Sequence, residues 1–211
     1  MRTVDIVVPV TRSADVAATC VRTVLESRNA TPFDVIVVAT GASAREFAAL
    51  SEGFGDRVTV VDAEGVDAEA ELVTHGVALH GDRDVVVLRP DAEVHGDWLD
   101  RLVAHAAKPG VGVVATFTDS SGVATYSRAR SEGGVPQTWS AAELDRVFAR
   151  VNRGQSASVR QAAGVALYVT RACIAAVGGL RSVAVSGDAP DPWNLAERAR
   201  DAGFDTRVAG D

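Results

Sequence analysis

Four short runs of branched apolar residues constrain this chain more than any other feature: VDIVVPV (4–10), FDVIVVAT (33–40), RVTVVDA (57–63) and DVVVLRPD (84–91). Each is too short for a typical helix and too uniformly apolar for a strand with one wet face, so each reads as a strand buried on both sides. Between them the apolar residues recur with helical spacing. One helix, capped by Ser13 or Asp15, carries Val16, Cys20, Val21, Val24 and Leu25 on one face. A second follows Gly41 and runs through Phe47 and Leu50. A third runs from about Asp67 to His80 with Ala70, Val73 and Val77 on one side, and DWLDRLVAHA (97–106) is a fourth. Strands that alternate with helices in this way form an open parallel sheet with helices on both faces. Ligands of such sheets bind beyond the carboxyl ends of the strands. Residues 9–12, 39–43 and 89–93 are three such ends and are expected to converge on one crevice.

The second half has a different rhythm. GVGVVATFT (110–118) is a further strand, and DTRVAG (205–210) a last short one. The stretch from Asp119 to Pro136 is rich in Gly and Ser, contains Arg128 and Arg130, and has no period; it reads as a mobile loop or an irregular hairpin, and as a loop it is expected to close over the donor or acceptor. SAAELDRVFARV (140–151) opens with Ser140 and Glu143, the spacing of a capping box, and predicts a helix. GVALYVTRACIAAVGGL (164–180) predicts a strand and then a helix stopped at Gly178-Gly179. DPWNLAERARDAGF (191–204) predicts a helix with Leu195, Ala199 and Ala202 inward, ended by Gly203. No repeat or linker interrupts the 211 residues, so a single domain is expected over 1–211.

Bulk properties exclude several classes. A hydrophobic content of 47% supports a sizeable core and argues against disorder. A net charge of −7 opposes nucleic-acid binding, which needs a basic face. No apolar stretch is long enough to span a bilayer, and the chain enters its first strand without a leader, so a cytoplasmic location is expected. Cys20 and Cys173 lack any metal-ligand spacing and read as core thiols of a reducing compartment. His75, His80, His95 and His105 share no metal spacing either and read as surface or helix residues. There is no P-loop, no GxSxG and no GxGxxG turn opening a helix.

The order of motifs resembles the family 2 glycosyltransferases, which have the GT-A fold. IVVPV (6–10) is similar to that family's opening strand. VIVVATGAS (35–43) stands where the family has VIVVDDGS. VVVLRPDAEVHGDWLDRL (85–102) stands where it has LLDADTEVPPGWLDRL or the LNPDTEV variant. AAGVALYVTRACIAAVGGL (162–180) is similar to TGACLLIRREVFEEVGGF, and DPWNLAERARDAGF takes the place of EDVDLCLRAREAGY. The resemblance covers nearly the whole chain. It implies an α/β, GT-A-like open, mostly parallel twisted sheet flanked by helices, with a Rossmann-like nucleotide-sugar-binding half (1–116) and an acceptor and catalytic half (117–211).

It also implies a set of chemical parts. A nucleotide-diphospho-sugar is the donor, and Mg²⁺ or Mn²⁺ bridges its diphosphate. A carboxylate deprotonates the acceptor hydroxyl that attacks the anomeric carbon. Asp91 matches the last aspartate of the metal motif; its alternative role is to cap the turn. Arg89 stands where the family has Asp or Asn, and would either neutralise a phosphate or pair with Glu93. Pro9, Val10, Thr11 and Thr40 stand at the nucleotide-side strand ends, although Ala39 and Thr40 replace the family's acidic pair. Thr74 replaces an asparagine before Gly76. In the base motif Asp191 takes the Glu place, with Pro192 and Asn194 where aspartates are usual. Asp191 or Asp188 is then the candidate base, and a helix N-cap by Asp191 with Pro192 at the first helical position is the structural alternative. Trp98 reads as core, and Trp193 as either a sugar-stacking or a packing residue.

The expected function is therefore glycosyl transfer, inverting and metal-assisted, to a glycan, lipid-linked or small-molecule acceptor. A homo-oligomer or a protein partner is compatible with it. The rival is a catalytically inactive GT-A-like module that binds nucleotide, glycan or protein. The altered motifs favour the rival, as does the end of the chain at RVAGD, without the C-terminal extension common in such enzymes.

Overall fold

The computed structural model describes residues 3–11, 13–66, 68–117, 139–161, 164–180 and 195–211. Its first half follows the expected alternation: β1 (Val4–Val10), α1 (Ala14–Glu26), β2 (Phe33–Ala39), α2 (Gly41–Leu50), β3 (Val58–Asp62), α3 (Glu69–Ala78), β4 (Asp84–Leu88) and α4 (Trp98–Ala106). The second half contributes β5 (Val111–Ala115), α5 (Ala141–Val151), β6 (Ser156–Ser158), β7 (Ala166–Val169), α6 (Arg171–Ala176), α7 (Leu195–Asp201) and β8 (Asp205–Ala209). All eight strands form one sheet in the order β3-β2-β1-β4-β7-β5-β8-β6. β3, β2, β1 and β4 are mutually parallel. β7 is antiparallel to both β4 and β5, and β8 is parallel to β5. The fold class expected from the sequence is borne out.

The topology explains why the strands read as continuous apolar runs. Ile6, Val8 and Val10 pack on one face with Val21 and Val24 of α1, Phe47 of α2 and Leu99 and Leu102 of α4. Val7, Ile36 and Val38 pack on the other with Leu72 and Val73 of α3, Cys173 of α6 and Leu195 of α7. With helices on both faces of β1, β2 and β4, neither set of their apolar side chains meets water. The expected two-sided burial fails for β3, which is an edge strand and leaves Thr59 and Asp62 exposed. Gly76 of α3 lets that helix lie close on the sheet: a Cβ there would stand 2.5 Å from a methyl of Val7.

Several local expectations change. Val16 is 40% exposed, because α1 buries Ala14, Ala17 and Ala18 instead. Ser13 precedes α1 in the left-handed region and makes no side-chain cap bond. Leu50 is exposed at the end of α2, and Ala202 is exposed beyond the end of α7. His105 is buried, and His80 pairs with buried Asp5 at 2.9 Å, so neither is a plain surface residue. β6 was not foreseen. The Ser140–Glu143 capping box is present in both directions.

Candidate functional site

The parallel pairings bring the carboxyl ends of β3, β2, β1 and β4 to one side of the sheet, with Val10, Ala39 and Asp62 aligned as register partners. β5 and β8 end on the same side. β7 runs the opposite way and enters from that side, so Ala166 lies opposite Leu88. The Arg89 amide donates to the Val165 carbonyl (2.9 Å), which fixes the first residue beyond β4 against the start of β7.

At this point the strand turns through Pro90 to Asp91. Arg89 donates from Nε and Nη2 to the two carboxylate oxygens of Asp91, at 2.8 and 2.6 Å. This two-point pair is the charge-assisted geometry a guanidinium forms best. The hydrogen bonds from Arg89 hold the Asp91 carboxyl below its ordinary range, against the opposite pull of partial burial. Arg89 therefore pairs with Asp91 rather than Glu93, whose carboxylate stands 4.0 Å from Nε2 of His95.

The nucleotide-side residues are placed unevenly. Pro9 and Val10 are buried in the sheet, so a ligand meets them only through backbone. Thr11 is exposed and Thr40 half-buried. Asp62 brings a carboxylate to the strand ends where Ala39 and Thr40 bring none. Its Oδ1 accepts from the amide of Gly41 (3.1 Å), which begins α2 at a φ of 53°. The sequence signal for Asp62 is a carboxylate that closes an apolar strand run; the residue is exposed at the end of the edge strand β3. Asp188, Asp191 and Trp193 lie outside the described residues, as does the stretch 119–136.

Beyond Asp91 the crevice opens into a cavity of about 540 Å³ between α4, α5 and the ends of β5 and β8. Its wall includes the aromatic side chains Phe117, Trp139 and Phe148 and the carboxylates of Glu93 and Asp145. Phe117 and Trp139 are more than a third exposed. Arg101 holds Asp145 at 2.5 Å. Asp211 also reaches this wall, where its Oδ1 stands 2.6 Å from Nε2 of His105.

A divalent cation at Asp91 meets an engaged carboxylate. Both oxygens face the Arg89 guanidinium, and among the described residues no group of three His, Cys, Asp or Glu side chains is arranged to hold a metal ion. In this arrangement the described residues fit an internal cation, the guanidinium, and not Mg²⁺ or Mn²⁺.

The parallel strands β1 to β4 end side by side, with the carboxylate of Asp91 just beyond β4, and define an α/β fold whose candidate site lies at the strand ends. A family profile described as glycosyltransferase like family 2 matches residues 2–211, and the chain belongs to that family. Among solved structures it is similar to S. aureus TarS 1-349 in complex with UDP-GlcNAc, at 12% identity and a TM-score of 0.64, covering 100% of this chain and 56% of that one. The same TarS fragment in complex with UDP matches at a TM-score of 0.63, covering 100% of this chain and 58% of that one, again at 12% identity. The mannosyltransferase PcManGT from Pyrobaculum calidifontis, in complex with GDP-Man and Mn²⁺, matches at 16% identity and a TM-score of 0.59, covering 98% of this chain and 56% of that one. The chain thus spans little more than half the length of these structures. No curated protein matches the sequence. Among the described residues no helix is long and apolar enough to cross a membrane.

Proposed function

We propose that this chain transfers a sugar from a nucleotide-diphospho-sugar to an acceptor hydroxyl, with inversion. The observation that carries the reading is the joining of two surfaces at Asp91: the ends of β1 to β4 on one side, and the aromatic-lined cavity on the other. The nucleotide lies over the first, against Thr11, Thr40 and the backbone of Pro9 and Val10. The acceptor lies in the second, where Phe117 and Trp139 offer flat apolar faces to sugar C–H groups and Glu93 and Asp145 accept from hydroxyls. The division into a donor half (1–116) and an acceptor half (117–211) belongs to this reading. Family membership supports it, as do the UDP, UDP-GlcNAc and GDP-Man complexes of similar folds.

In the reaction the acceptor oxygen bonds to the anomeric carbon as the bond to the diphosphate breaks on the opposite face. The acceptor proton passes to a carboxylate, Asp191 or Asp188, and the nucleoside diphosphate leaves. That a mannosyltransferase of similar fold is in complex with both GDP-Man and Mn²⁺ supports a reading in which a positive charge assists the donor. The reaction is assigned to the cytoplasm, in keeping with two buried free thiols.

A second reading, a catalytically inactive binding module, is favoured by the uncharged Ala39 and Thr40 and by the engaged Asp91. The two separate on incubation with UDP-GlcNAc and GDP-Man, followed by mass spectrometry for released nucleoside diphosphate and glycosylated product. Release with product supports the transferase. Binding of UDP or GDP without turnover supports the module.

A further inference from the structure

Resting on the donor-binding reading, we propose that Arg89, and not a divalent cation, is the positive charge that meets the donor diphosphate, and that Asp91 is the counter-ion it leaves to do so. Both carboxylate oxygens of Asp91 are held by the Arg89 fork, so a metal ion would have to enter beside a guanidinium that repels it. The Arg89 backbone is tied down as well: its amide donates to Val165 (2.9 Å), and its carbonyl accepts from the amide of Ala92 (3.1 Å) and the thiol of Cys20 (3.5 Å). A fixed backbone keeps the guanidinium at the crevice.

Phosphate oxygens offer a fork the same two-point geometry as a carboxylate. Arg89 is 24% exposed while Asp91 is 51% exposed, so the carboxylate is the partner that water readily takes back. The exchange also fixes the sign of a mutational effect. An aspartate with a divalent cation carries a net charge of about +1, whereas the Arg89–Asp91 pair is neutral. Asp91 therefore competes with the donor here, whereas a metal-binding aspartate would recruit it.

The test is calorimetric titration of UDP and of GDP at fixed ionic strength, once with EDTA and once with Mn²⁺. Wild-type affinity is expected to agree within about twofold between the two conditions. Asp91→Asn is expected to tighten binding, and Arg89→Met to weaken it roughly 10- to 100-fold, the range for hydrogen bonds to charged groups. Circular dichroism checks that each variant folds; should Arg89→Met not fold, the EDTA comparison and Asp91→Asn decide. Wild-type binding that requires Mn²⁺, or an Asp91→Asn variant that binds more weakly, overturns the role of Arg89 and leaves the donor-binding reading intact. Failure to bind either nucleotide in both conditions overturns the two together.

Discussion

Asp5 and Asp34 face each other as register partners on the parallel strands β1 and β2, and the guanidinium of Arg83 stands 3.0 Å from the first and 2.6 Å from the second. Asp5 is fully buried and is also met by His80. Two like charges side by side in a sheet would repel, so Arg83 makes their placement tolerable. The cluster lies at the amino-terminal ends of the strands, opposite the crevice.

Arg83→Met should therefore destabilise the fold without touching the site. The expected loss is roughly 2–4 kcal/mol, read from the urea midpoint; it falls toward the lower side of the cost of breaking a buried pair because His80 remains and Asp34 is 40% exposed. Asp34→Asn in the same background should recover part of it.

Asp100 predicts a pH dependence. Burial raises its pKa, but the neighbouring Thr31 hydroxyl together with the amides of Ala30 and Thr31, at 2.7 and 2.8 Å, outweighs that effect, so the carboxyl is lowered. A carboxyl lowered in the folded state contributes its full stability above its unfolded pKa, about 3.9, and loses it as the pH falls through the folded value. Asp100→Asn should be less stable than wild type at neutral pH, and the gap should close below about pH 4 in paired denaturation curves.

The two thiols should be inert in the native protein. Burial, aided by the negative charge of Asp91, pushes Cys20 up to about 12, and burial pushes Cys173 up to about 11. Only a thiolate attacks a disulfide reagent. Ellman's reagent at pH 8 should thus react slowly with the folded chain and count both thiols promptly in denaturant.

Asp191→Asn should leave UDP or GDP affinity close to wild type and lower transfer by roughly 10²–10⁴, the usual range for a lost general base. Asparagine still caps a helix, so stability should change little. Steady-state turnover with nucleotide affinity measured alongside separates the two effects. Unchanged turnover transfers the role to Asp188, tested by Asp188→Asn.

β1, β2 and β4 were legible because burial on both faces leaves an unbroken apolar signature in the chain itself, although the fourth run was carried three residues past Leu88; β3 was legible from its branched residues while lying half-exposed at the sheet edge. The capping box at Ser140 was legible for a similar reason: it is closed by two residues three apart. β6 was not, since Ser-Ala-Ser (156–158) is a three-residue edge strand with no apolar run and gains its conformation from pairing with β8. His105 lies in a helix, one of the two expected settings, but its burial was not legible because its partner Asp211 stands 106 positions away.

Local sequence by itself determined which segments become strands and helices, where some of them stop, and the order of motifs that places the chain in its family. Only the tertiary structure decided who partners whom among the charges. Arg89 had Asp91 and Glu93 as near neighbours in the chain, and the turn through Pro90 directs it to Asp91. Asp5 sat inside an apolar run, and the pairing of β1 with β2 and the approach of Arg83 turned it into half of a charge cluster. Apolar periodicity is a property of consecutive residues and survives without the fold. An ion pair depends on distance and desolvation, and these exist only once separate elements have packed.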